Sequence, residues 1–396
     1  MSRTYLNQLA LVSALGNNVG TTKRVLLKLG ESGVALSDAF SPGRRLPVGR
    51  IDANLSLPPM GRWPLRDRSR NNQLMLVALA QIRPAVDAAI ARFGAARVGV
   101  VIGTSTSGIG EAETALRDYV STGILPDGFH YGQQELISPA AVLAAEIGVS
   151  GPAYVHSSAC ASSAKALASA ARLIRMNACD AVIAGGVDTL CRFTVAGFAA
   201  LEALSTTRCN PLSRNRDGIN IGEGAALFLV SSEPATVSLR GWGESSDGYH
   251  MSAPDPAGVG ARLALEQALA RAAVTAAEIE YVNLHGTATL QNDAMEAELI
   301  HRMFGDRVYV SSTKPFTGHA LGAAGAIEAG LCWLAMQDDN LTGKLPRHLW
   351  DGVEDPNLPV LQLATSDTRL GHPPRWAVSN SFAFGGANVS LVLARE

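Results

Sequence analysis

The sequence predicts an α/β protein in two parts, each a buried mixed sheet with helices on both faces. Three observations carry that prediction. Short, continuously apolar runs alternate with longer helical stretches along the whole chain, the pattern of strands covered on both sides. The chain has 396 residues, 47% of them hydrophobic, enough to bury two domain-sized cores. A faint duplication relates the halves: residues 224–230 resemble 386–392, and the small-residue run opened by Cys160 parallels the one opened by His319.

The elements follow in order. Residues 9–15 read as a first strand, too short and too broken by Ser13 to be a signal peptide. Residues 73–91 and 262–273 are apolar helical stretches. Strands are expected at 97–102, 153–155, 181–184, 227–230, 280–282, 308–310 and 389–393. The polar stretch Ser231-Ser232-Glu233-Pro234 marks the boundary, giving an N-terminal half at 1–233 and a C-terminal half at 234–396. No run approaches the length of a transmembrane helix.

Charge and cysteine usage narrow the function. Lys and Arg number 33 against 35 Asp and Glu, a net charge of −2, so no global basic field points to nucleic acid or a membrane surface. The five cysteines (160, 179, 191, 209 and 332) form neither CxxC pairs nor a metal-ligand cluster, which favours a reducing, cytoplasmic setting.

One cysteine stands apart. Cys160 lies in Ser157-Ser158-Ala159-Cys160-Ala161-Ser162-Ser163-Ala164, between a strand and a small-residue helix. A thiol at a helix N-terminus meets the positive end of the dipole and unpaired N–H groups, so its pKa is expected to fall. Two histidines have comparable settings. His285 lies in Asn283-Leu284-His285-Gly286-Thr287-Ala288-Thr289, after a strand. His319 lies in Lys314-Pro315-Phe316-Thr317-Gly318-His319-Ala320-Leu321-Gly322, a turn entering a helix. Strand ends of this kind gather chemistry in α/β folds. The remaining histidines (130, 156, 250, 301, 348 and 372) read as ordinary surface or core residues. A last motif, Asn380-Ser381-Phe382-Ala383-Phe384-Gly385-Gly386-Ala387-Asn388, closes the chain.

In this order and spacing, joined by Arg216-Asp217-Gly218, Gly222-Glu223-Gly224-Ala225, Asp247 to Met251 and Pro254-Asp255-Pro256, these motifs resemble the elongating β-ketoacyl-acyl carrier protein synthases of the thiolase-like superfamily. The resemblance runs from about residue 8 to the C-terminus. It implies a thiolase-like fold, two duplicated halves each with a mixed five-stranded sheet, layered α/β/α/β/α. It also implies a decarboxylative Claisen condensation of an acyl-enzyme thioester with malonyl-acyl carrier protein, extending the chain by two carbons in fatty acid or polyketide/polyene biosynthesis.

On that resemblance Cys160 is the nucleophile, and His285 and His319 donate to the enolate oxygen. Lys314 is an orienting cation paired with Glu296, with Glu328 as second candidate. The N–H groups of Cys160 and Phe384 form the oxyanion site, and Phe384 also gates the acyl pocket. Thr287 and Thr289 hold the phosphopantetheine arm. No cofactor or metal is implied, since substrates arrive on the carrier's own phosphopantetheine. Arginines 44, 45, 50, 62, 66, 68 and 70 form a local basic patch that suits an acidic acyl carrier protein, with Arg66 and Arg68 nearest the family's docking position.

The resemblance further implies a two-fold dimer, either a homodimer or a heterodimer with a related ketosynthase-like subunit. Three departures from the family pattern, Ala383 in place of glycine, Lys165 on the helix after the nucleophile and a terse first-strand region at Leu9 to Gly16, favour a specialised pathway over housekeeping elongation. Thiolases carry a second cysteine near the C-terminus and initiating synthases use Cys-His-Asn; neither pattern fits. The alternative from another class is a non-catalytic chain-length-factor-type subunit, which would lack the nucleophile present here.

Overall fold

The computed structural model describes residues 3–396. The first half contributes β1 (Tyr5–Ser13), β2 (Val34–Ser37), β3 (Leu46–Gly49), β4 (Val98–Gly103), β5 (Ala153–His156), β6 (Ala181–Asp188) and β7 (Gly224–Ser231). Its helices are α1 (Val19–Arg24), α2 (Arg70–Phe93), α3 (Ile109–Thr122), α4 (Ser138–Ile147), α5 (Ser162–Arg175) and α6 (Arg192–Ala200). The second half contributes β8 (Val237–Ser246), β9 (Tyr281–Asn283), β10 (Tyr309–Ser311), β11 (Gln362–Leu363), β12 (Trp376–Phe382) and β13 (Ala387–Arg395). Its helices are α7 (Val259–Ala272), α8 (Leu290–Phe304), α9 (Lys314–Thr317) and α10 (Ala324–Ala335).

Strand order makes the duplication explicit. The first half runs β5-β4-β6-β7-β1 and the second β10-β9-β12-β13-β8. Each array has its third strand at one end, followed by the second, fourth, fifth and first. Each mixes parallel pairs at one end with antiparallel pairs at the other. Two details extend the expected pair of five-stranded sheets. The arrays join through Tyr5 and Ser238, so hydrogen bonding is continuous, and the two-residue β11 adds to the β10 edge.

Five layers follow from which faces are apolar. Helices α2 and α4 cover the outer face of the first array through Leu74, Leu79, Ile82 and Leu143. Helices α7 and α8 cover the outer face of the second through Leu265, Leu269 and Ile300. Between the arrays lie α5 and α10, packed against strand residues from both. Alanine and glycine dominate these central helices because two sheets leave little room, and Gly325 lies directly against Ala164. Helix α2, at 24 residues, is long and apolar enough to span a bilayer, contrary to the reading of its sequence. It is apolar because it packs on a sheet, with Leu74, Met75, Ala78 and Val86 fully covered.

The two central helices place the chemistry. Both begin at the middle of the molecule, α5 just after Cys160 and α10 just after His319, and Ser163 Oγ accepts the Ala326 N–H across them at 2.8 Å. The strands carrying the other motifs end at the same level. Gly103, where β4 ends, lies so close to the start of α5 that a Cβ would sit 2.3 Å from the Ser163 nitrogen.

Candidate active site

Cys160 occupies a strained turn. Ala159 before it has φ 47°, a left-handed conformation that an L side chain adopts only when its surroundings impose it. Two serines impose it here. Ser105 Oγ and Ser162 Oγ donate to the Ala159 carbonyl at 2.9 and 2.6 Å, and the Ser158 N–H donates to Ser162 Oγ at 2.8 Å. The turn aims the thiol into a buried chamber, where Cys160 is 4% exposed. Left-handed non-glycine residues recur beside the histidines, at Ala288 and Leu321.

His285 and His319 meet Cys160 there. The imidazoles lie edge to face with centroids 5.5 Å apart, and one ring nitrogen from each lies with the sulfur within 4.8 Å. Their tautomers follow from the hydrogen bonds. His319 Nδ1 accepts the Leu321 N–H at 3.2 Å. His285 Nδ1 lies 3.3 Å from Lys314 Nζ, which has only donors, so this nitrogen too accepts. Both rings therefore carry their proton on Nε2. Burial first, and the Lys314 charge second, hold both histidines well below the usual imidazole range, so they are neutral N–H donors at neutral pH. Three such ligand atoms resemble a metal set, yet two N–H groups and a neighbouring lysine suit an anion rather than a cation.

Lys314 ties the site together. It is 1% exposed and pairs with Glu328, 2% exposed, at 2.5 Å. Its Nζ also donates to the His285 carbonyl. The carboxylate beside Lys314 is thus Glu328, and the expected pairing with Glu296 does not form. Glu296 instead accepts the backbone N–H groups of His285 and Gly286 at 2.8 and 2.7 Å. It clamps the loop, because α8 delivers it beneath the end of β9. Burial pushes its carboxyl up to about 7, and those N–H groups pull the other way.

The expectation for the thiol is also corrected. Burial pushes Cys160 up to about 11. Lys314 and the N–H groups of Phe384 and of Cys160 itself pull it down, and Glu328 pushes it up. Helix-terminal stabilisation is present but smaller than the desolvation of a thiolate in so closed a chamber. Phe384 hence delivers its N–H to the sulfur, while its ring packs on Phe198 at 5.6 Å. Gly385 and Gly386, at φ 83° and 78°, make the turn that brings this backbone in.

Above Phe384 a surface cavity of ≈ 370 Å³ is lined by Phe384, Thr289, Asp217, Gly218 and His250 among others. Thr287, buried behind it, shares a hydroxyl contact of 3.0 Å with Thr289. Arg66 is exposed and lies 3.7 Å from the Asp67 carboxylate. Arg68 donates to the Trp63 and Gly61 carbonyls and so shapes its own loop. The rest of the arginine patch is divided: Arg44 and Arg45 are exposed, but Arg70 pairs with the buried Glu223 at 2.9 Å.

Asp188 is the residue that sequence reasoning missed. It ends β6, fully buried, and accepts Thr104 Oγ1 at 2.6 Å, Thr106 Oγ1 at 2.7 Å, the N–H groups of Ser105 and Thr106, and the Gly322 N–H at 2.6 Å. One carboxylate thus joins the loop bracing the Cys160 turn to the loop carrying His319. The signal was an acid directly after the apolar run Val182 to Val187. The signature around Gly222 has a similar duty: the His319 N–H donates to the Asn220 carbonyl at 2.7 Å, and the Gly222 N–H to the His319 carbonyl at 2.8 Å.

Residues 62–235 match the family model described as β-ketoacyl synthase, N-terminal domain, and residues 236–347 match β-ketoacyl synthase, C-terminal domain. A 3-oxoacyl-[acyl-carrier-protein] synthase 2 of Coxiella burnetii is 31% identical over 99% of this chain and 98% of its own. The chain belongs to the β-ketoacyl synthase family. A Rhizobium meliloti synthase of the same name is 37% identical over 62% of this chain and 61% of its own. The solved structure of the ketosynthase ApeO in complex with its chain length factor ApeC, from Xenorhabdus doucetiae, contains a chain 43% identical over 100% of this one and 98% of that one, with a TM-score of 0.93.

Replacing Lys314 by Met leaves Glu328 buried without its cation, and should lower unfolding free energy by about 3–5 kcal/mol. Adding Glu328→Gln should restore most of that loss, as read by urea denaturation of both single variants and the double. Alkylation of Cys160 by iodoacetamide should accelerate continuously between neutral pH and the range near 11 where the thiol ionises. A plateau in that rate near neutral pH would contradict a thiol held protonated by burial.

Proposed function

We propose that this chain is a β-ketoacyl-acyl carrier protein synthase that condenses an acyl group on Cys160 with malonyl-carrier protein. The observation that carries the reading is one sulfur faced by two imidazole N–H donors and two backbone N–H groups in a chamber out of water.

In the first half-reaction, the Cys160 thiol exchanges with the thioester of an acyl carrier. A carbon–sulfur bond forms to Cys160, the carrier's pantetheine sulfur leaves, and the thiol proton ends on it, so no net acid or base is consumed. Negative charge on the acyl oxygen during attack is stabilised by the N–H groups of Cys160 and Phe384, where one such donor typically contributes about 3 kcal/mol. In the second half-reaction, malonyl thioester loses CO2. The enolate oxygen accepts Nε2–H of His285 and His319, both neutral, so the charge meets fixed dipoles without a proton being lost to it. The enolate carbon then attacks the acyl-enzyme, its carbon–sulfur bond to Cys160 breaks to release the β-ketoacyl thioester, and the departing thiolate takes one proton from solvent. Lys314 acts through His285, fixing its tautomer, and Glu328 balances Lys314.

The cavity above Phe384, with Thr287 and Thr289 at its side, is the path proposed for the phosphopantetheine arm, and Phe384 the gate at its floor. The carrier protein itself is proposed to dock by its acidic surface on Arg66 and Arg68. Likeness to ApeO across the whole chain supports a ketosynthase of a polyketide or polyene pathway, working beside a chain length factor.

Intact mass after incubation with a panel of acyl-carrier proteins tests the reading. A single adduct is expected, absent in Cys160→Ala and discharged by malonyl-carrier protein into a product two carbons longer; no adduct with any acyl carrier would refute it. For docking, Arg66→Glu should lower kcat/KM about tenfold with the carrier-borne substrate and leave a free pantetheine thioester unaffected. Added salt should reproduce that loss in the unaltered protein.

A further inference from the structure

The two oxygens of the Asp188 carboxylate serve different loops. Oδ1 accepts four donors from the loop after β4: the hydroxyls of Thr104 and Thr106 at 2.6 and 2.7 Å, and the N–H groups of Thr106 and Ser105 at 2.9 and 3.0 Å. Oδ2 shares the Ser105 N–H at 3.0 Å and accepts the Gly322 N–H at 2.6 Å. The first set holds Ser105, whose hydroxyl braces the carbonyl of Ala159, the left-handed residue before Cys160. The second holds Gly322, directly after Leu321, whose N–H donates to Nδ1 of His319. No side chain fits where these loops meet: a Cβ on Gly322 would lie 2.7 Å from Asp188 Oδ2 and 2.7 Å from the Ser105 nitrogen. Asp188 is fully buried, so solvent does not replace a partner it loses.

Leu321 has φ 48°, a conformation that a leucine keeps only where its neighbours impose it. Its N–H is what leaves the His319 proton on Nε2, because a ring nitrogen that accepts does not also carry a proton. We propose that Asp188 is a positioning residue for enolate formation: through Oδ2 it fixes the Leu321–Gly322 backbone, and thereby the His319 tautomer that presents Nε2–H to the enolate oxygen. Through Oδ1 it serves the other half-reaction, holding the brace beneath the Cys160 turn. The assignment to half-reactions rests on the reading of this chain as a ketosynthase; the control of the tautomer rests on the hydrogen bonds alone. An isostere that keeps one oxygen separates the two roles. In Asp188→Asn the retained oxygen belongs on the Oδ1 side, where four donors converge. The amide nitrogen then faces the Gly322 N–H, donor against donor, and that contact is lost. The reverse orientation would set the amide against the Thr106 N–H.

Two rates and one spectrum test this: acyl loading of Cys160 by intact mass, CO2 release from malonyl-carrier protein, and 15N signals of the His319 ring in histidine-labelled protein. In Asp188→Asn, CO2 release should fall about tenfold or more while loading stays within about threefold. Ser105→Ala keeps its N–H on Asp188 and removes only the brace on Ala159. It should invert the order, slowing loading more than CO2 release. His319 Nδ1 should carry the signature of an unprotonated acceptor in the unaltered protein and in Ser105→Ala, and gain proton character in Asp188→Asn. Equal loss of both rates in either variant, or a His319 spectrum indifferent to Asp188→Asn, would overturn the proposal. The spectra need no turnover. If the unaltered chain neither loads nor releases CO2, the ketosynthase reading fails, and the ring signals still decide whether Asp188 sets the tautomer.

Discussion

The ion pair between Lys314 and Glu328 lies entirely out of water, and the Lys314 charge reaches both histidines and the thiol of the chamber. A buried cation this close sets His285 to accept at Nδ1, and so turns its Nε2–H toward the sulfur. The same charge, added to burial, keeps both imidazoles neutral. It pulls the thiol downward more than Glu328 pushes it up, and burial outweighs both. Such a pair adds little to stability, because desolvation offsets most of the attraction. Its effect is to fix proton positions where a carbanion is to be formed.

Holding that pair in place requires the duplicated architecture. Lys314 precedes α10, Glu328 lies on it, and His285 ends β9 of the same half. Cys160 arrives from the other half at the start of α5. Two copies of one strand order, stacked on a shared layer of small-residue helices, bring those helix N-termini to the same level. The cost of this arrangement is concentrated in the loops, where Ala159, Ala288 and Leu321 take left-handed conformations. Buried carboxylates restrain the same loops by collecting their N–H groups: Asp188 for the Ser105 and His319 segments, Glu296 for the His285 segment, and Asp293 for the N–H groups of Ala288 and Leu212.

The sequence by itself determined the alternation of strands and helices, because apolar runs covered on both faces leave an unmistakable pattern. It also determined the duplication, and the motifs around Cys160, His285, His319 and Phe384, whose small and left-handed positions admit few other residues. It did not disclose β8 or β12, where Trp242, Arg240 and Asn380 interrupt the apolar pattern. Nor did it identify the hairpin of β2 and β3, which lies outside the main sheet.

What only the tertiary structure decided are quantities that depend on distance and burial. Glu296 and Glu328 are both acids on helices, and nothing local tells which meets Lys314; the packing that lets Lys314 reach both the His285 carbonyl and Glu328 on α10 does. The Cys160 thiol sits at a helix terminus, which the sequence shows. Its ionisation is governed by how completely the chamber excludes water, which depends on residues hundreds of positions apart. Asp188 looks like the polar end of a strand until folding gathers five donors around it.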